Sequence, residues 1–276
     1  MIEINRIYKE NCLDTMKRMD DNFIDLTVTS PPYDNLRNYK GYTFDFENIA
    51  KELYRVTNKG GVVVWIVNDA TINGSETGTS FKQALYFKEI GFNLHDTMIY
   101  YRVSPYPSNN RYNQVFEYMF VLSKAKPNTF NPVKQYKSQN SFKGVSLSIS
   151  HRQKEGSVKK ICNQEYQRFT LSQSKLLKDS ENIWYVPSGY MLSTTDKIAF
   201  EHPAVFPEKL ASDHIISWSN EKDIVYDPFM GSGTTAKMAI LNNRQYIGSE
   251  ISKEYCNIIY KRLNGVLSQP KLEKIV

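Results

Sequence analysis

Val62-Val63-Val64-Trp65-Ile66-Val67 is an unbroken apolar run of β-branched and aromatic residues. A strand with one wet face alternates apolar and polar side chains; a strand covered on both faces does not. The run therefore requires packing layers above and below a sheet, and its surroundings supply them. Phe46 to Val56 places Phe46, Ile49, Leu53 and Val56 at helical spacing and stops before Lys59-Gly60-Gly61. Leu13 to Met19 and Phe81 to Ile90 read as helices, the second stopped by Gly91. Strands are predicted at Ile4 to Lys9, Phe23 to Thr29, His95 to Arg102 and Val115 to Ser123. Residues 68–79 and 104–110 read as loops. Further on, a helix within Pro203 to Trp218 turns Leu210, Ile215 and Trp218 inward. Strands at Asp223 to Asp227 and Gln245 to Ser249 flank a helix from Ala236 to Leu241, and a helix from Glu254 to Leu263 follows. Such alternation predicts an α/β fold, a mostly parallel sheet with helices on both faces.

The alternation lapses between Lys124 and Ser180, and charge takes over. From Lys124 to Lys178, 12 Lys or Arg stand against Glu155 and Glu165, giving +10 in a chain of net +6, so the remainder is −4 (6 − 10). A basic insertion in a mildly acidic protein points to a polyanion, and a solvated basic loop is the plainer alternative. No apolar run reaches the roughly 18 residues of a membrane span. The first residues lack a signal peptide's apolar core. Cys12, Cys162 and Cys256 are scattered and odd in number, and the four histidines form no metal-ligand spacing with them. A metal-independent cytoplasmic protein is expected.

Two stretches carry chemistry. After the strand from Phe23 comes Thr29-Ser30-Pro31-Pro32-Tyr33. Two prolines cannot continue a ladder, and the residue before a proline is held extended. The corner is rigid and offers a small hydroxyl, free carbonyls and an aromatic ring, a set that could grip a flat amino-bearing ring. It could also be only a strand-ending turn with a surface tyrosine. The second stretch is Asp227-Pro228-Phe229-Met230-Gly231-Ser232-Gly233-Thr234-Thr235, followed by a helix, a strand and Glu250. Strand, glycine turn, helix, strand and acid is the order of a nucleotide-binding unit, with the acid placed for a ribose. The turn alone does not exclude a dinucleotide. Asp227 and Glu250 disfavour phosphate and favour a cationic nucleoside.

Together these stretches closely resemble the β-group of S-adenosylmethionine-dependent DNA amino-methyltransferases, which act on N4 of cytosine or N6 of adenine. The order matches: corner, basic insertion, cofactor loop. His202-Pro203-Ala204-Val205-Phe206-Pro207-Glu208-Lys209-Leu210 resembles the motif before the cofactor loop, and Asn182-Ile183-Trp184 the segment that closes the insertion. Asn11-Cys12 falls where the family often has Asp-Cys beside the adenine, and the Asn is a departure. The resemblance implies a Rossmann-like, circularly permuted, seven-stranded, mostly parallel sheet, with Val115 to Ser123 as its antiparallel strand. Residues 1–123 would be the catalytic half, 124–181 the target-recognition insertion and 182–276 the cofactor-binding half.

The implied cofactor is S-adenosyl-L-methionine, held by Asp227, Pro228, Phe229, Gly231, Ser232, Gly233, Thr234, Thr235, Glu250, Asn11, Cys12 and Phe206. Ser30, Pro31, Pro32 and Tyr33 would be catalytic: Ser30 Oγ and the Pro31 carbonyl as acceptors for the amino group, Tyr33 stacked on a flipped base. Arg37, Tyr39, Lys134, Lys137, Lys143, Arg152, Lys154, Lys159, Lys160 and Arg168 are the expected DNA contacts. His202 reads as structural. Expected partners are double-stranded DNA and a cognate restriction endonuclease, with no membrane, the chain being a monomer or homodimer of bacterial or archaeal type associated with the nucleoid. Ser rather than Asp or Asn at the corner points to N4 of cytosine. N6-adenine methylation, an RNA base or protein glutamine as acceptor, and an inactive DNA-binding relative are the alternatives.

Overall fold

The protein is described by a computed structural model covering residues 2–32, 44–102, 111–136, 150–152, 158–160 and 177–268. Tyr33, Arg37, Tyr39, Lys137, Lys143, Lys154 and Arg168, among the expected site residues, lie outside the described residues. In chain order the first elements are β1 (Arg6–Tyr8), α1 (Cys12–Met16), β2 (Ile24–Thr29), α2 (Phe46–Val56) and β3 (Thr57–Val67). A small hairpin follows, β4 (Thr71–Ile72) and β5 (Ser75–Glu76), then α3 (Thr79–Glu89), β6 (Asn93–Tyr101) and β7 (Phe116–Ser123). The basic segment contributes β8 (Lys134–Tyr136), β9 (Ser150–Arg152), β10 (Val158–Lys160) and β11 (Leu177–Asp179). The chain ends with β12 (Ile183–Tyr185), a 3₁₀ turn (Lys197–Glu201), α4 (Glu208–Trp218), β13 (Ile224–Asp227), α5 (Thr234–Leu241), β14 (Gln245–Ser249) and α6 (Lys253–Leu267).

One sheet organises most of these, in the order β1-β14-β13-β2-β3-β7-β6-β12. All its pairings are parallel except those of β7, which runs against both β3 and β6, as expected of Val115 to Ser123. β1 pairs with β14, Arg6 opposite Ile247, so the first strand of the chain completes the last βαβ unit. The sheet has one strand more than the seven expected. After the insertion the chain returns along the open edge of β6, where Ile183 faces Ile99 and Tyr185 faces Tyr101, and occupies backbone groups that would otherwise stay unpaired.

The unbroken run in β3 divides between two cores. Val62, Val64 and Ile66 pack with Leu210, Ile215, Ala236, Ile259 and Leu263 from α4, α5 and α6. Val63, Trp65 and Val67 pack with Met16, Ile49, Leu53 and Phe87 from α1, α2 and α3. Each of the six is at most 1 % exposed, and burial of this order contributes roughly 1.5–3 kcal/mol per side chain.

Helix α3 begins two residues before Phe81. The Asp69 carboxylate accepts Ser80 N (2.8 Å) and Thr77 Oγ1 (3.2 Å), satisfying an orphan donor from a distance that periodicity does not register. The chain divides into two compact units, residues 1–131 with 182–276, and Pro132–Glu181. Residues 124–131 thus belong with the sheet: Lys124 Nζ donates to Tyr54 O (2.7 Å), and Asn128 N donates to Gly60 O (2.9 Å). Within the smaller unit β8 pairs with β11 and β9 with β10, both antiparallel.

Candidate active site

β13 and β2 are neighbours in the centre of the sheet, and they mark its switch point. The helix after β13 packs on one face and the helix after β2 on the other, so the loops leaving their carboxyl ends diverge and open a crevice. Both chemistry-bearing stretches leave from here: Ser30-Pro31-Pro32 follows β2, and the glycine loop follows β13. They line one cleft of about 820 Å³.

The glycine loop is built by backbone that only glycine holds without strain. Gly231 sits at φ +53° and Gly233 at φ +85°. A Cβ on Gly231 would meet His202 Nε2 at 3.1 Å, and one on Gly233 would meet Ile259 at 3.0 Å. Gly231 and Ser232 line the cleft with Pro228, Phe229, Thr234, Thr235 and Glu250. Gly233 is instead the N-cap of α5.

Glu250 ends β14 and is 8 % exposed. Its Oε2 accepts Gly231 N (2.8 Å) and its Oε1 accepts Ser252 N (2.8 Å). A carboxylate has about four acceptor positions; with the Ile251 N–H also directed at the group, the capacity left over suits a ribose hydroxyl. Burial raises its pKa; the backbone donors from Ser252 and Gly231 oppose this, and the Asp227 charge adds to it. Asp227 is 4 % exposed, and burial raises its pKa against the hydroxyls of Thr29 and Thr235 and the Phe229 N–H. The cleft wall therefore concentrates acidic groups in a dry setting, which suits a cationic nucleoside. The remaining acceptor capacity of Glu250, the crowded glycine cradle and the acidic wall fit S-adenosyl-L-methionine.

Of the other expected cofactor residues, Cys12 and Phe206 line the cleft. Asn11 does not: its Oδ1 accepts Leu13 N (2.9 Å) and caps α1. Several lining residues were not legible. His202 is 8 % exposed, packs edge-on against Tyr255 at 4.3 Å and accepts Ala204 N on Nδ1 (3.1 Å). Next to the Ser30 corner the wall is made by Asn68, Tyr100, Arg102 and Glu117, from the ends of β3, β6 and β7 that face the same sheet edge. Arg102 Nε lies 3.2 Å from Glu117 Oε1. Only the topology brings these together, and no local signal marks them.

In the smaller unit Lys134 opens β8, and Arg152, Lys159 and Lys160 lie on the β9–β10 ribbon, with Arg152 opposite Val158 and Lys160 opposite Ser150. Among the described residues no group of three or more His, Cys, Asp or Glu is placed to hold a metal, and no helix is long and apolar enough to cross a membrane.

Known proteins agree with this geometry. The DNA methylase family N6_N4_Mtase matches residues 24–261. The chain is 57 % identical over 261 residues to the orphan methyltransferase M.BamHII of Bacillus amyloliquefaciens, covering 93 % of this chain and 95 % of the relative. Among solved structures, the cytosine-N4-specific PvuII DNA methyltransferase superposes with a TM-score of 0.65 at 19 % identity, over 100 % of this chain and 89 % of that one. The complex of M1.HpyAVI with S-adenosylmethionine superposes at 0.60 and 20 % identity, over 94 % and 99 %. The family match over residues 24–261 and the 57 % identical relative show the family: the chain belongs to the N6/N4 DNA methylase family and is an S-adenosyl-L-methionine-dependent DNA amino-methyltransferase.

Proposed function

We propose that the chain methylates N4 of cytosine in double-stranded DNA, with the target base flipped out of the helix. The observation that carries the reading is Ser30 at the end of β2, in the cleft that also holds Gly231 and Glu250. S-adenosyl-L-methionine, when bound, supplies a methyl group already activated on a sulfonium. What remains for the chain is to orient an amino nitrogen whose lone pair is delocalised into the base ring. Ser30 Oγ and the Pro31 carbonyl accept the two amino hydrogens, favour the pyramidal nitrogen and share the positive charge that develops on it. Pro31 and Pro32 fix these acceptors, because neither residue can rotate about φ. No base is needed before attack, and the proton leaves afterwards to Ser30 or water. The amino group is out of reach within a duplex, so the base must leave the stack.

The unit Pro132–Glu181 is the proposed target reader. A two-stranded ribbon fits the major groove, and Arg152, Lys159 and Lys160 on β9–β10 are suited to phosphates and base edges. Methylation of this kind would protect a site from an endonuclease reading the same sequence; relatives at 26–27 % identity are named type II methyltransferases, and the 57 % identical one an orphan methyltransferase.

The test is tritium transfer from labelled S-adenosyl-L-methionine to mixed-sequence duplex DNA, followed by digestion to nucleosides. N4-methylcytosine is the expected product. N6-methyladenine would overturn the choice of base, and no incorporation by folded protein would overturn the activity.

A further inference from the structure

The backbone of β13 pairs with that of β2 at Val225↔Leu26 and Tyr226↔Thr27. The chemistry lies beyond it, at Ser30 on one strand and from Pro228 onward on the other. Side chains take over across that gap. Thr29 Oγ1 donates to Asp227 Oδ1 at 2.7 Å. Thr235 Oγ1, in the first turn of α5, donates to Asp227 Oδ2 at 2.7 Å and lies 3.3 Å from Val28 O. Phe229 N donates to Oδ1 at 3.0 Å. Thr29, Thr235 and Asp227 are 0 %, 1 % and 4 % exposed, so water does not compete for these bonds.

Three protein donors occupy most of the acceptor capacity of the Asp227 carboxylate. That leaves little for the cofactor contact expected of it, and it gives the group another task. We infer that Thr29 and Asp227 form a register clamp, in which Thr29 is a positioning residue that holds the Ser30 corner at a fixed offset from the glycine loop. The inference rests on the methyltransferase reading for its effect on rate. In-line transfer tolerates little error: a displacement of about 1 Å can cost on the order of 100-fold. A bond between the residue before Ser30 and the residue before Pro228 fixes the offset of the two reacting partners more directly than any contact deeper in the sheet.

The experiment compares Thr29→Val, which keeps the shape and removes the donor, with Thr29→Ser, which keeps the donor. Two quantities are read: methyl transfer to DNA, split into kcat and KM for each substrate, and hydrogen–deuterium exchange of residues 24–30 in cofactor-free protein. For Thr29→Val, kcat is expected to fall by at least about tenfold, KM for S-adenosyl-L-methionine to stay within about threefold, and exchange of 24–30 to rise. Thr29→Ser is expected to match the parent in all three. A Thr29→Val protein with parental kcat and exchange overturns the clamp. So does a Thr29→Ser protein as impaired as Thr29→Val, because the loss would then follow the methyl group. Thr29→Cys, a weak donor of similar size, takes the place of the valine variant if that does not fold. If the parent protein transfers no methyl group, the methyltransferase reading fails, and the exchange comparison alone still decides the clamp.

Discussion

A valine at Gly231 would have to hold φ near +53° with its Cβ pressed on the His202 ring. Backbone strain of this kind costs about 1–3 kcal/mol, and the cleft wall must move as well. Gly231→Val is expected to weaken S-adenosyl-L-methionine binding by at least about tenfold by calorimetric titration, with the fold retained. His214 is the residue with the clearest acid liability. It is fully buried against Trp184, its Nε2 is 3.1 Å from Met119 Sδ, and burial depresses its pKa to about 3. Below pH 6.5 the unfolded chain takes up a proton that the folded chain refuses until about pH 3, so this contribution falls as pH drops through that window. The slope is at most about 1.4 kcal/mol per pH unit. Thermal melts from pH 7 to 4 should show the parent losing stability, and His214→Leu should flatten the curve. Legibility at this scale followed locality. The glycine turn, Glu250 and the Ser30 corner were legible as residues of one cleft because each stands in a short stretch with its own local signal. Tyr100, Arg102 and Glu117 reach the same cleft from strands that the sequence does not place beside β2. Asn11 was expected beside the cofactor; its oxygen caps α1 and it is not among the residues lining the cleft.

Helix α6 does more than cover the sheet. Arg262 is 3 % exposed and sits at the hub of a charged cluster. It donates to Asp196 Oδ2 (2.9 Å), Glu208 Oε1 (2.6 Å) and Ser232 O (2.7 Å), while Lys237 from α5 donates to the same two carboxylates at 2.8 Å each. One guanidinium thereby joins α6, α4, the segment before the 3₁₀ turn and the glycine loop. Arg262→Met removes one cation from the cluster while Lys237 still pairs with both carboxylates, so it is expected to destabilise by less than the cost of a lone unpaired buried charge, about 3–5 kcal/mol. A fall in denaturation midpoint together with weaker cofactor binding is the expected outcome, and unchanged values for both would remove the hub. The helices and long strands were legible from apolar periodicity to within a few residues, except that β3 starts at Thr57 and runs through Lys59-Gly60-Gly61, which the sequence suggested as a helix stop. The other exceptions have physical causes: α3 starts early because Asp69 caps it from a loop, and β12 is three residues whose strand character comes from the open edge of β6. The hub itself was not legible, since its charges are 66 positions apart from Asp196 to Arg262 and no local signal joins them.

At the scale of the whole molecule, charge is divided as sharply as structure. The +10 from Lys124 to Lys178 falls mostly in the unit Pro132–Glu181, although Lys124 itself is a staple of the sheet unit. Lys159→Ala with Lys160→Ala is expected to weaken binding to all duplex sequences alike and to lower the slope of log K against log salt by about 1 for each phosphate no longer neutralised. Loss of sequence preference with an unchanged slope would instead assign the pair to base edges. The sheet order also has a consequence for how the protein is made. Translation delivers β1 and β2 before β13 and β14, yet β14 is the partner of β1, and β13 lies between β14 and β2. While the ribosome is still reading the middle of the message, β2 has β3 on one side and nothing on the other, and β1 has no neighbour in the sheet. The gap between β1 and β2 is filled only by these later strands, so the nascent chain carries an open strand edge and lacks the glycine loop until β13 and β14 emerge. The cleft between the Ser30 corner and the glycine loop therefore cannot form until β13, α5 and β14 have been made.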